Sequence, residues 1–494
     1  MKTTPAGVEQ VHRPDRSNSA TALRPWVTGT AAAVLLLISC LIWGYRPEGG
    51  RTGSLLYPAE SAGRMVERNL SFYADYDRVP AWEKDLFALL FGHRSSVQDS
   101  SIRVYRDVLA YFAAHPDRAT PWAELNTRVR LIVLLAEMGE RRALHRQLSR
   151  LGDAPEEQAV AEAVAFAYRL PGSPDRLSPI ALAGLRLLPL GWAANHMWWR
   201  AAKRDGDARL AARYAGYIAN AGQAARQRVL SFAAVNAVLL VGGLAVAAIW
   251  LVRGAPAPGW RAGALEQPWS LADGFAVGVR AGVLGLIIFL ALALSEGSIF
   301  HPHLLALWSG LFASLPMIWL IHRYLLRPRA LGFVEAFGLH LWRPGLARVA
   351  GTVLAVLALE QAGSLLIAWA AWHVGFQPHW SEAIPERLIW GPWQSTVLGS
   401  LDTVVWGPVF EEIGFRGLVF VALRSRLGFM PAALLSAGLF AVLHPYSLPA
   451  MAAVFWSGLV WAWAFERLRS LLPGMLAHAG TNLLAVLTVV LFYR

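Results

Sequence analysis

WGPVFEEIGFR, residues 406–416, sets two adjacent carboxylates, Glu411 and Glu412, and then Arg416 inside a mostly apolar run. STVLGSLDTVVWGPVF (395–410) leads into it and GLVFVAL (417–423) leads out. The run is long enough to span the ~30 Å apolar core of a bilayer as a helix at about 1.5 Å per residue. Ionisable side chains are expensive there, so they mark a functional site unless a structural pairing accounts for them. Glu412 and Arg416 stand at i, i+4 in the order that favours an ion pair on a helix, which leaves Glu411 free. Successive residues point about 100° apart, so the two acids cannot share a helix face and are expected to divide their roles.

The rest of the chain has the same character. Of 494 residues 55% are hydrophobic and 16% charged, with 22 tryptophans, and the mean hydropathy is +0.40. This composition excludes an ordinary soluble protein and points to an all-α, polytopic membrane bundle. The net charge of +12 comes from arginines at the ends of apolar runs, so they read as topology signals, and no nucleic-acid partner is expected. The single cysteine, Cys40, excludes an intramolecular disulfide and a cysteine-based metal site.

Residues 1–25 form a basic tail, expected in the cytoplasm, and 26–45 a first transmembrane anchor without a small-residue cleavage site. From 46 to 228 the charge density rises and apolar residues take helical spacing, as in TRVRLIVLLAEMGERRALHRQLSRL. This is a soluble, all-helical insert after the first span, suited to docking a partner. Further apolar segments lie at 230–252, 272–295, 303–321, 350–374, 396–423, 429–445, 450–466 and 471–492, giving about nine spans. The corresponding domains are transmembrane helices over 229–375 and a catalytic-type core over 396–494, with Pro-Gly-Trp-rich linkers at 254–270 and 376–395. Counted from the first anchor, the loops expected inside hold Arg253, Arg261, Arg323, Arg327, Arg329, Arg343, Arg348, Arg424, Arg426, Arg467 and Arg469, against Arg387 outside. The bias places 46–228 outside the cytoplasm of a multi-pass cell-membrane protein, in the style of a bacterial inner membrane.

Three more polar groups interrupt the last spans. His444 lies in GLFAVLHP, and His478 and Asn482 lie four residues apart on one helix face in LAHAGTNLLAVL. Each offsets its cost in lipid only by facing the others or a water-filled cavity. Taken singly, the Glu412–Arg416 pair reads as a tie between helices and His478 with Asn482 as interhelical hydrogen-bond partners. Together they supply what a hydrolase needs: a carboxylate base for water, or acids and histidines for a divalent metal such as zinc, and donors aimed at an oxyanion.

Glu411-Glu412-x-x-x-Arg416, Phe440-x-x-x-His444 and His478-x-x-x-Asn482, in this order on successive helices, resemble the motifs of the CPBP intramembrane proteases. That family includes CAAX prenyl endopeptidases and bacteriocin-processing or self-immunity (Abi) proteins. The resemblance covers about residues 395–492 and not the 46–228 insert. It implies an intramembrane endopeptidase acting on a peptide or membrane-protein substrate at or within the bilayer. It further implies that Glu411 activates water and His444 helps to hold that water or a metal. His478 and Asn482 then stabilise the oxyanion or complete the metal site, and Glu412 and Arg416 support the geometry. Glu411, His444 and His478 would be the metal ligands, and metal-free activation by glutamate is equally open. The competing class is a non-catalytic scaffold or immunity-type factor that binds a protein partner through 46–228.

Two further expectations concern placement. Measured at about 1.5 Å per residue from the expected cytoplasmic ends, Glu411 lies ~20 Å deep, His444 ~24 Å and His478 only ~10 Å. The intramembrane acids Glu360 and Asp402 read as structural or cavity-lining, with Arg280 snorkelling or paired with Glu360. Trp380, Trp390 and Trp393 read as an interfacial aromatic belt.

Overall fold

The computed structural model describes residues 24–44, 51–74, 76, 79–253, 261–294, 302–340, 345–376, 378–444 and 446–494. Most of the expected basic tail, 1–23, and residues 254–260 of the first linker lie outside them. All regular structure among the described residues is helical. In chain order the longer helices are α1 (Pro25–Gly44), α2 (Pro58–Ser71), α3 (Ala81–Phe91), α4 (Arg94–Ala114), α5 (Pro121–Glu137), α6 (Arg141–Leu148), α7 (Pro155–Ala167), α8 (Pro179–Leu187), α9 (Trp192–Asp205) and α10 (Ala208–Arg253). They continue with α11 (Leu271–Leu294), α12 (Pro302–Leu320), α13 (Leu346–His373), α14 (393–424), α15 (Phe429–Val442), α16 (Leu448–Leu468) and α17 (Leu472–Phe492).

The expected spans all coincide with helices. Among the described residues, five helices (α10, α11, α13, α16 and α17) are long and apolar enough to cross a membrane, and Pro25–Ile38 and Phe429–Val442 are shorter apolar helices. Large apolar side chains such as Val238, Val241, Leu251, Leu366 and Trp369 are exposed. In water such surface would be unfavourable; against lipid it is matched. The chain is a multi-pass helical membrane protein.

Two compact units are formed. The first gathers Met1–Gly44, Leu240–Val374 and Leu398–Asn482. Within it α1 packs on α11, α11 on α12, α13 on α16, and α15 on α16. The α11–α12 approach is close: a Cβ added at Gly285 would stand 2.5 Å from the Ala313 carbonyl oxygen. Small residues at such crossings let membrane helices meet by van der Waals packing.

The site helix α14 is irregular for a reason written in its sequence. Pro408 has no N–H, and its ring crowds the carbonyl four residues back, so the turn before it cannot stay α-helical. It widens into a π-helical stretch over Asp402–Trp406. A second π stretch, Ile413–Phe420, contains Gly414 and Gly417. Such stretches shift the hydrogen-bond ladder and leave carbonyls needing other donors. Those donors are present: Asn482 Nδ2 donates to the Thr403 carbonyl at 2.8 Å, Ser436 Oγ to that of Phe415 at 3.0 Å and Trp269 Nε1 to that of Leu418 at 3.0 Å.

The second unit gathers Tyr45–Leu239, Gly375–Val397 and Leu483–Arg494. Its helices start at helix-terminating and capping residues: Pro opens α2, α5, α7 and α8, and Thr120 and Ser178 accept from the Ala123 and Ala181 amides. The core holds Val66, Leu131, Ile132, Phe166 and Met197, all buried. The 376–395 stretch, expected to be a linker, is part of this unit. Glu386 accepts from the Leu56 and Tyr57 amides at the start of α2 at 2.5 and 2.9 Å and from Ser61 Oγ at 2.7 Å, where the helix end favours an anion. Trp380, Ile384 and Ile389 are buried in the same core as Val489 and Tyr493. Trp390 donates to Ser61 Oγ at 3.1 Å. Trp380 and Trp390 are therefore packing residues of the helical unit, whereas Trp393 is exposed.

His196, on α9, stacks on Trp192 with ring centroids 4.1 Å apart and bonds the Trp192 carbonyl through Nδ1 at 2.8 Å. Burial, with Arg200 and Arg94 adding to it and Glu137 opposing, holds its imidazole below the ordinary histidine value. The folded unit favours neutral His196, so this contribution to stability is complete above about pH 6.5 and is lost as pH falls from there towards the lowered value. His196→Phe keeps the ring stack and removes the titration. Melting of the full chain in detergent should show a shallower acid dependence between about pH 7 and about pH 5.5 in this variant. An unchanged slope would exclude His196 as its source.

Candidate active site

The core of the site is one charged pair and one wedged ring. Arg416 Nη1 donates to Glu412 Oε1 at 2.9 Å, with both side chains buried. The guanidinium carbon lies 4.5 Å from the Phe440 ring centroid and 5.0 Å from that of Trp461. Two aromatic faces thus replace water around the cation. Space for it comes from α16: a Cβ at Gly458 would stand 2.8 Å from Arg416 Nη2 and 2.9 Å from Ala437 Cβ.

His478 of α17 sits between the adjacent acids. Its Nε2 is 3.7 Å from Glu411 Oε2 and its Nδ1 is 3.4 Å from Glu412 Oε1. Neighbouring carboxylates that point apart on their own helix are both reached because the two ring nitrogens diverge. Their environments differ sharply. The Glu412 side chain is 1% accessible and paired with Arg416, while that of Glu411 is 35% accessible.

This proximity departs from the depth expected for His478. The physical reason lies at the start of α17. Ser470 and Leu471 are buried, Ser470 Oγ donates to the Gly338 carbonyl at 2.6 Å and the Leu471 amide donates to the Phe337 carbonyl at 2.9 Å. The corner before α17 is tucked beneath the short helix Phe333–Phe337, so depth counted from that corner starts inside the unit.

His444 Nδ1 bonds the Phe440 carbonyl at 2.8 Å. A carbonyl only accepts, so Nδ1 carries the proton and Nε2 of the neutral ring keeps its lone pair. Phe440 stands edge-on to both histidines, with centroids 4.7 Å from His444 and 6.2 Å from His478. Asn482 spends one amide N–H on Thr403 and retains a second.

Other residues join the site without having signalled it. Trp461 stacks on His478 at 4.0 Å and 17°. Glu360 is buried and accepts from Ser457 Oγ at 3.1 Å and Trp461 Nε1 at 3.2 Å. Arg280 does not pair with it; Arg280 Nη2 donates to the Arg24 carbonyl at 3.0 Å and to Thr28 Oγ1 at 3.2 Å. Tyr446, just beyond α15, lies beside His444 with ring centroids 5.6 Å apart. Asp402 faces α12, where a Cβ on Gly310 would lie 3.1 Å from its Oδ1.

The expected metal ligands were Glu411, His444 and His478. Among the described residues no three His, Cys, Asp or Glu side chains are grouped to hold a metal ion. Both nitrogens of His478 face carboxylates of α14, an arrangement suited to proton exchange and ion pairing.

A buried acid–histidine centre in a polytopic helical bundle defines the chain as a membrane protein with an intramembrane polar site. Residues 392–484 match the family model described as type II CAAX prenyl endopeptidase Rce1-like. The chain is thus similar to the CPBP/CAAX protease family over the stretch that holds all six motif residues, and this supports an endopeptidase. No curated protein and no solved structure matches the chain.

Proposed function

We propose that this protein is an intramembrane endopeptidase in which Glu411 activates water for attack on a peptide bond at or within the bilayer. The observation that carries the reading is the contrast between the two acids, both facing His478. Arg416 occupies Glu412, and the more accessible Glu411 is left to take a proton. Water then gives its proton to the Glu411 carboxylate as its oxygen attacks the carbonyl carbon. The second N–H of Asn482, or His444 when protonated, donates to the oxyanion. As the tetrahedral species collapses, Glu411 returns the proton to the departing amine. No step passes through a metal.

The arginine bias of the loops supports an outer placement of the helical unit in a bacterial inner membrane, where it would dock a substrate or partner. The match to prenyl endopeptidases makes a prenylated peptide the first substrate to try. The test uses the full chain in lipid nanodiscs with a quenched fluorescent farnesylated CAAX peptide and its unprenylated counterpart. Cleavage of at least one is expected, insensitive to o-phenanthroline and reduced about 100-fold or more in His444→Ala. No cleavage of either peptide, with a protein partner bound through the helical unit, would favour the scaffold reading. Full activity in His444→Ala would remove that histidine from the mechanism.

A further inference from the structure

We propose that Glu360 and Trp461 form a strut that fixes the plane of the His478 imidazole, making them positioning residues of the hydrolytic site; this rests on the function proposed above. Glu360 belongs to α13, outside the 392–484 match. The centre would therefore depend on a helix that the family likeness does not include.

The geometry runs in one line. Ser457 Oγ and Trp461 Nε1 both donate to the Glu360 carboxylate, at 3.1 and 3.2 Å. An indole pinned at its N–H cannot rotate about its long axis. The face of that indole is stacked on His478 at 4.0 Å and 17°, and it also lies 5.0 Å from the Arg416 guanidinium carbon. A fixed indole plane fixes the imidazole plane, and that plane aims Nε2 at Glu411 and Nδ1 at Glu412. The base of the strut is itself held, since Trp456 Nε1 donates to the Leu359 carbonyl at 3.1 Å.

Cost argues the same way. A leucine at 360 would pack α13 against α16 without removing a carboxylate from water, and an acid inside a membrane helix costs free energy that a role at the site would offset. Orientation is what this acid adds, and misplacement of a reacting group by about 1 Å costs up to about 100-fold in rate.

The experiment uses the full chain in nanodiscs with isotope-labelled histidine, the His478 resonance being assigned by its loss in His478→Gln. Glu360→Leu removes the acceptor. Trp461→Phe keeps an aromatic face but removes the donor, and it stands in if Glu360→Leu does not fold. Each is expected to shift the His478 ring signals and their titration, and to lower kcat on the farnesylated peptide about 10-fold with KM unchanged. Glu360→Gln, whose amide oxygen still accepts, should restore both. The double variant Glu360→Leu/Trp461→Phe should be no worse than either single, because both cut the same strut. A His478 signal unchanged in both single variants, or losses that multiply in the double, overturns the proposal. The resonance needs no turnover. A shifted signal in a protein that cleaves nothing would uphold the strut and reject the proposed function alone.

Discussion

Glu411→Gln is expected to abolish peptide hydrolysis, by about 1,000-fold or more, in a protein that still inserts and melts as the parent does. The amide is nearly isosteric and keeps a hydrogen-bonding group beside His478, so the 3.7 Å approach of Nε2 need not collapse. What it lacks is a lone pair basic enough to take a proton from water. General-base catalysis is worth about 100- to 10,000-fold, and the base here also returns the proton to the leaving amine, so the loss should lie towards the upper end. The side chain is 35% accessible and has no ion-pair partner of the kind that Arg416 provides to Glu412, so its replacement should cost little stability. Single-turnover cleavage of the farnesylated peptide measures the chemical step. Retention of more than about a tenth of parental activity would assign the base elsewhere.

The second large effect is on folding. Arg416→Met should destabilise the protein by about 3–5 kcal/mol, the range found when one partner of a buried ion pair is removed. Both members are buried. Glu412 would be left as an uncompensated charge facing only the His478 ring, and the cavity framed by Phe440, Trp461 and Gly458 would lose the planar cation that fills it. The compensating double variant Glu412→Leu/Arg416→Met should recover most of the loss, since apolar replacements of a buried pair are often neutral or better. Reversible unfolding of both variants in mixed micelles compares them directly. A single-variant loss below about 1 kcal/mol would mean that the pair is effectively solvated.

Much of this centre was legible in the chain because lipid makes polar residues conspicuous. Glu411, Glu412 and Arg416 stood out for their cost, and their i, i+4 order foretold the pair found at 2.9 Å. The apolar runs likewise marked the helices. What could not be read were features that depend on where a chain end is tucked. The depth of His478 was misjudged because Ser470 and Leu471 are buried, and their bonds to Gly338 and Phe337 link residues more than a hundred positions apart. Trp461 was hidden among tryptophans that suit an interface. Glu360 was matched with Arg280 because its actual donors, Ser457 and Trp461, lie on another helix and carry no charge. The Pro-rich stretch before α14 had the composition of a connector. Only three donors converging on Glu386 reveal it as an anchored part of a fold.

That last unit is assembled from three distant pieces of chain. Arg68 lies over the Tyr493 ring at 4.2 Å, and Arg494 Nη1 donates to the Leu388 carbonyl at 2.9 Å. During synthesis, residues 45–239 leave the ribosome long before 375–397 and 483–494 exist, so the unit cannot close as it is made. The contacts of that first segment with Trp380, Ile384, Ile389, Val489 and Tyr493 are complete only after the last helix has been made. The helical unit is thereby completed only once residues 483–494 exist, and a chain truncated before residue 483 would leave it without its closing segment.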